Sequence, residues 1–413
     1  MSGDKPLGEV CLFRHGARGP SKTALKSLDI PEVTNEWLPE EVEELSPVGL
    51  EQMRALGEHA AARLQRELPA VFAREPTAHK WRSSSVSRVR MSGESFWRGF
   101  CSVAQHSDEG LAPEPYSAPD TADDHFRAWN IDPAYLAVVK QVRSGDVFRR
   151  KAEEESATLT PLTSKVLQKA AELPPEKRLD CMTYLQEMVD CERYTPDRRA
   201  LLDLLAPADL AAVERFAHWC WDKRFFVDDR DLRFAIGGRM LADIVSDLSA
   251  MAAEATNAAA GVEQPAQSPS PAGAEEPATA AEKAGVPRFG AYSGHDYTIL
   301  SLLSALGVKN YPAQILGYGA HMFISIRRQP AGAPIEECPV VIHLNMTPFE
   351  EPADSAPCPT VQLHNVAELT FTLGELAARA KAVENTIPAT VKAAAKAEQA
   401  QNTGPRLERL FTN

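Results

Sequence analysis

Val10-Cys11-Leu12-Phe13 runs straight into Arg14-His15-Gly16-Ala17-Arg18-Gly19-Pro20, and this junction constrains the chain more than any other stretch. Four successive apolar residues describe a strand covered on both faces. Pro20 prevents the strand from continuing, and Gly16 and Gly19 are expected to supply unusual backbone angles for the turn. A histidine and two arginines then sit at the carboxyl end of a buried strand, where open α/β sheets bind ligands. Two guanidinium forks beside an imidazole suit a phosphate, whose oxygens arginine contacts in bidentate fashion. Taken singly, a His or Arg at such a place is usually part of a solvated turn, so the remaining chain has to supply partners.

The chain has 413 residues, 44% hydrophobic and 24% charged, enough for a sizeable core. A formal net charge of -13 argues against nucleic acid or an anionic membrane surface as partner. No apolar run is long enough to span a bilayer. The stretch Met1 to Pro6 has no apolar segment of the signal-peptide type, so the expectation is a cytoplasmic chain or one trimmed of its leader. Seven cysteines are scattered without CxxC spacing, which reads as free thiols in a reducing compartment. Zinc-ligand spacing is absent, and no metal or other cofactor is expected.

Along the chain, Ser46-Pro47 reads as N-cap and first position of a helix. Leu50, Met53, Leu56, Ala60, Leu64 and Leu68 give that helix its apolar face. The stretch Lys80 to Arg98 gathers Lys80, Arg82, Arg88, Arg90 and Arg98 against the single acid Glu94. Such a cluster is either a solvated helix face or part of an anion site. From about Cys101 to Arg233 the chain reads as a mostly helical insert. It is broken at Leu173-Pro174-Pro175 and carries a polar, aromatic-bearing stretch with Asp123, Asp124, Phe126 and Trp129. Ile236, Met240, Ile244, Val245, Leu248 and Met251 form another helical stripe. The stretch from about Glu254 to Lys283 is mostly Ala, Pro, Glu, Gln, Ser and Thr, and is expected to be a disordered loop. Arg288 to Leu300 then reads as a short strand, His295-Asp296, and a helix whose amino terminus attracts phosphate. The Ala- and Lys-rich tail from about Ala377 is expected to end in a peripheral helix.

These stretches together resemble the histidine phosphatase superfamily, in its acid phosphatase and phytase branch. Arg14, His15, Gly16, Arg18 and Pro20 match its signature, Leu45-Ser46-Pro47-Val48-Gly49 is similar to its Leu-Thr-Pro-x-Gly helix start, and His295-Asp296 matches its second motif. Arg88 matches the arginine that opens a helix and reaches the phosphate. Many relatives are secreted and disulfide-bonded, and often carry Thr-Thr after His-Asp, where this chain has Tyr297.

The resemblance implies an α/β fold: a three-layer core with a central mixed, largely parallel sheet flanked by helices, and an inserted helical cap. Residues 1–100 and 236–413 are expected to form the core, with a disordered loop at 254–284, and residues 101–235 the cap. It implies metal-independent hydrolysis of phosphate monoesters, with His15 as nucleophile forming a phosphohistidine and Asp296 as general acid. Arg14, Arg18, Arg88 and His295 would hold the phosphate oxygens, with Lys22 and Arg82 as rim candidates. Lys22 matches a lysine of many bacterial phytases, so an inositol polyphosphate stands second to a broad acid phosphatase substrate. A phospholigand-binding member with weak activity, and a phosphomutase, are further alternatives.

Overall fold

The computed structural model describes residues 6–28, 30–74, 79–104, 114–115, 125–167, 170–226, 230–259, 288–308, 316–328, 333–350, 361–362 and 366–381. Asp123, Asp124, the 254–284 stretch beyond residue 259 and the tail beyond 381 lie outside these residues. Residues 254–259 continue the helix Arg230–Ala259, so the helix extends into the stretch expected to be disordered.

One sheet organises the molecule. Its strands are β1 (Pro6–Arg14), β2 (Lys80–Ser83), β3 (Glu114–Pro115), β4 (Phe289–Gly294), β5 (His321–Arg327), β6 (Pro339–Asn345) and β7 (Val366–Thr372), in the order β3-β2-β4-β1-β5-β6-β7. The sheet is mixed. β3, β2, β4 and β1 run parallel, whereas β5, β6 and β7 follow β1 in antiparallel sequence. The parallel half is the half that ends at the site.

All of β1 is buried, as its apolar run requires. Its alternating side chains feed two separate cores. Val10 and Leu12 pack with Ile244, Leu248 and Met251 of the helix Arg230–Ala259 on one face. Cys11 and Phe13 pack with Met53 and Leu56 of the helix Pro47–Glu67 and Phe96 of the helix Ser87–Ala104 on the other. Phe13 stacks on Phe96 at 4.5 Å between ring centres. This double cover is why the strand has no polar alternation.

A third cluster joins the inserted helices. Phe148, Leu162, Leu179, Leu185, Val213 and Phe216 pack together with Ala24, Leu28, Val33 and Trp37 from just after the first motif. The stretch expected to be one cap over 101–235 is therefore shared. β3 joins the sheet, and Tyr135 and Val139 pack into the sheet cluster. The apolar periodicity placed the helices correctly but carried no information on which core each would join. The described cysteines, Cys11, Cys101, Cys181, Cys191, Cys220 and Cys338, are free thiols.

Candidate active site

β1 and β4 end in register, Arg14 opposite Gly294, and the His15 amide donates to the Gly294 carbonyl at 3.0 Å. Two loops, 15–20 and 295–296, thus emerge side by side from adjacent parallel strands. The first is clasped to the amino terminus of the helix Pro47–Glu67. The Ala17 amide donates to Gln52 Oε1 at 2.9 Å, while Ser46 donates to the Ala17 carbonyl and accepts from the Gly49 amide at 3.1 Å. Gly16 and Gly19 do not adopt left-handed angles; among the described glycines only Gly307 and Gly319 do. Their reason is proximity. A Cβ on Gly16 would lie 2.3 Å from the Gly49 carbonyl oxygen, and one on Gly19 2.0 Å from that of Glu41.

His15 is buried, with Nδ1 2.8 Å from the Gly16 carbonyl oxygen. A carbonyl only accepts, so in the neutral ring Nδ1 carries the proton and Nε2 keeps its lone pair. Burial first, then Arg88, Arg14, Arg18 and His295, hold the imidazole pKa well below its ordinary value. The ring is therefore neutral and nucleophilic at Nε2, which lies 3.4 Å from Arg88 Nε.

The cations around it differ in their ties. Arg14 lies over the Tyr318 ring at 4.3 Å, donates to the Leu316 carbonyl, and pairs with Asp296 at 3.2 Å. Arg18 pairs with Glu187 at 2.9 Å and donates to the Gly19 carbonyl at 2.7 Å. Burial works against the charge on Arg18, but Glu187, Tyr318 and Cys191 together outweigh it and raise the pKa. Among the described residues, the Nε atoms of both arginines are buried without an acceptor. Arg88 forms no ion pair among the described residues, and burial with Arg18 nearby lowers its pKa to about 10. Three guanidiniums with unused donors around a neutral imidazole make a ready anion site.

His295 is the N-cap residue of the helix Asp296–Ala305, its ring edge-on to His15 at 5.8 Å and its Nε2 3.3 Å from Ser84 Oγ. Burial, then Arg88 and Arg127, lower its pKa well below the ordinary value. Asp296 follows in the first helical turn, and its Oδ1 accepts from the Tyr297 amide at 2.7 Å. The structure thus brings His15, Arg14, Arg18, Arg88, His295 and Asp296 together.

The rim candidates stand on neighbouring elements. Lys22 is exposed at the start of the helix Lys22–Leu28, next to Ser21, whose amide donates to Glu187 at 2.7 Å. Arg82 pairs in register with Tyr292 on β4, and its charge acts on the Tyr292 phenol. Arg82 lies in a strand, upstream of the turn that brings Arg88 inward.

Three contributors had no sequence signal. Glu187 and Asp190 lie on one face of the inserted helix Met182–Arg193. Burial raises the Asp190 pKa to about 6 against the opposing charges of Arg14 and Arg193. Tyr318 packs beside Arg14 just before β5. Each is an ordinary polar residue of a helix or loop until the fold delivers it.

A neutral histidine among three guanidiniums, at the carboxyl ends of two parallel strands, defines an α/β protein with an anion site at that end of its sheet. Residues 9–142 match the family model described as Histidine phosphatase superfamily (branch 2). Among solved structures, the chain is similar to the phytase of Klebsiella sp ASR1, with a TM-score of 0.58 and 16% identity over 94% of this chain and 97% of that one. It is also similar to Hafnia alvei phytase in complex with tartrate, with a TM-score of 0.61 and 14% identity over 95% and 99% of the two chains. A third is the Bifidobacterium longum multiple inositol polyphosphate phosphatase complex with inositol hexasulfate, with a TM-score of 0.56 and 14% identity over 95% of each chain. No curated protein sequence matches the chain. At these identities the likeness is one of fold.

Proposed function

We propose that the chain is a phosphomonoesterase working through a phosphohistidine, with an acid phosphatase range of simple esters as substrates. The observation that carries this reading is the His15 ring, held neutral with the Nε2 lone pair turned to Arg88 Nε and with Arg14, Arg18 and His295 around it. Nε2 attacks phosphorus and the ester P–O bond breaks. The departing oxygen takes the proton of the Asp296 carboxyl. Water then attacks the phosphohistidine and gives its proton to the Asp296 carboxylate, releasing inorganic phosphate and restoring Nε2. The guanidiniums spread the charge of the equatorial oxygens, as phosphoryl transfer requires. Arg14 touches Asp296, so one cation serves both the phosphate and the proton donor.

Inositol polyphosphates are the second reading. Lys22, which matches a lysine of many bacterial phytases two residues after Pro20, supports it. So do the similar folds of Hafnia alvei phytase in complex with myo-inositol hexakis sulphate and the Bifidobacterium longum enzyme bound to inositol hexasulfate.

Asp296→Asn tests the assignment. An alkyl phosphate needs its proton during cleavage and should lose on the order of 10²–10⁴ in rate. p-Nitrophenolate leaves unaided, so its ester should give a burst of nitrophenol and accumulate phosphorylated His15. Equal losses on both esters with no trapped phosphoenzyme would refute Asp296 as the acid.

A further inference from the structure

Tyr297 stands where relatives often carry a small hydroxyl residue, and its surroundings assign it a task. Trp221 Nε1 donates to its hydroxyl oxygen at 3.0 Å, and Arg224 Nη1 lies 3.5 Å from the same atom. Both donors come from the inserted helix Pro207–Phe225. A phenol oxygen has two acceptor positions and one proton. With both positions met by donors, the proton is left over, and no described residue accepts it.

The ring is fixed from the other sides too. Phe225 packs at 4.9 Å, and Trp129 meets it edge-on at 4.8 Å while also standing edge-on to His295 at 5.8 Å. The charges of Asp296 and of Glu187, the partner of Arg18, both act on the hydroxyl. The phenol is therefore rigid, only partly buried, and next to the acid that faces the leaving oxygen.

We propose that Tyr297 is a specificity-determining residue: it donates its hydroxyl proton to an oxygen of the leaving alcohol, so favoured substrates are monoesters of polyhydroxylated alcohols. This rests on the hydrolase reading above and narrows it. The Trp221 and Arg224 donors hold the hydroxyl in place, which lowers the entropy cost of the substrate contact. A site built to hydrogen-bond a substrate hydroxyl discriminates against the analogue lacking it.

The test uses a matched pair, glycerol 2-phosphate and isopropyl phosphate, which differ only in two hydroxyls. Wild type should prefer glycerol 2-phosphate in kcat/KM. Tyr297→Phe keeps the ring and should lose about threefold to tenfold on glycerol 2-phosphate, the worth of one hydrogen bond, with a several-fold smaller loss on isopropyl phosphate. Trp221→Phe should erode the same preference and combine non-additively with Tyr297→Phe, because both act through one hydroxyl. A melting temperature for each variant separates this from misfolding. Equal losses on the two esters, or an unchanged preference in Tyr297→Phe, overturn the inference alone. Failure of wild type to release phosphate from either ester overturns the hydrolase reading and the inference with it.

Discussion

Gly16→Ala isolates the role of close backbone approach beside His15. The added Cβ would sit 2.3 Å from the Gly49 carbonyl oxygen and 2.8 Å from its carbonyl carbon. Relieving such a contact needs a shift on the order of 1 Å. Both partners are backbone, so no side chain can swing away. On one side the loop is tied to β4 through His15 and Gly294; on the other the helix start is tied through Ser46, Gly49 and Gln52. Replacing glycine by alanine at a compatible site would stabilise by about 0.4–1 kcal/mol through the unfolded chain. Overpacking opposes this with about 1–3 kcal/mol and should win. The expected result is a melting temperature a few degrees lower. Because the neighbouring His15 moves with the loop, kcat should fall on the order of 10²-fold. Differential scanning calorimetry and steady-state phosphate release read the two effects. Gly290→Ala is the control: its Cβ would meet Val10 Cγ2 at 3.6 Å, an ordinary contact, so it should leave kcat intact. A Gly16→Ala protein that melts with wild type and keeps its kcat within about twofold would refute the steric argument.

The remaining predictions concern pH. His15 is held neutral by burial and the arginines, so kcat/KM should show no acid-side loss near 6.5, the ordinary histidine value; a limb there in a pH profile would mean that the ring titrates normally. Burial raises the Glu192 pKa from 4.5 to about 7, although its carboxylate accepts from the Leu201 and Leu202 amides. The folded state thus binds this proton more tightly than the unfolded one. Its contribution is full below 4.5 and is lost as pH rises toward about 7. Urea unfolding across that window should show falling stability in wild type and a flatter profile in Glu192→Gln, and parallel profiles would contradict the assignment.

Read alone, the sequence determined the pieces whose geometry is local. An unbroken apolar run ending in polar residues specifies a doubly covered strand and the side chains at its end. Ser46-Pro47 specifies a helix start, and the structure shows Ser46 capping it. His295-Asp296 before an apolar helix specifies a carboxylate at a helix amino terminus, where it stands. Each follows from spacing within a few residues, whereas the grouping of Arg14, His15, Arg18, Arg88, His295 and Asp296 into one site came from the resemblance to the histidine phosphatase superfamily.

Only tertiary structure decided what met them. Glu187, Asp190, Tyr318, Gln52 and Ser84 reach the site because the sheet order sets β2 and β5 on either side of the β4–β1 pair and because the inserted helices pack onto the segment after the first motif. Apolar periodicity tells which face of a helix is buried but not against what, and the polar residues beside that face carry no mark of their eventual partners. The same limit explains Arg82 and Arg88, which share one basic cluster: one stays in a strand facing Tyr292 and the other turns inward on a helix. It explains the glycines too, since Gly16 is required not by its own torsion angles but by a helix end that arrives from elsewhere in the chain.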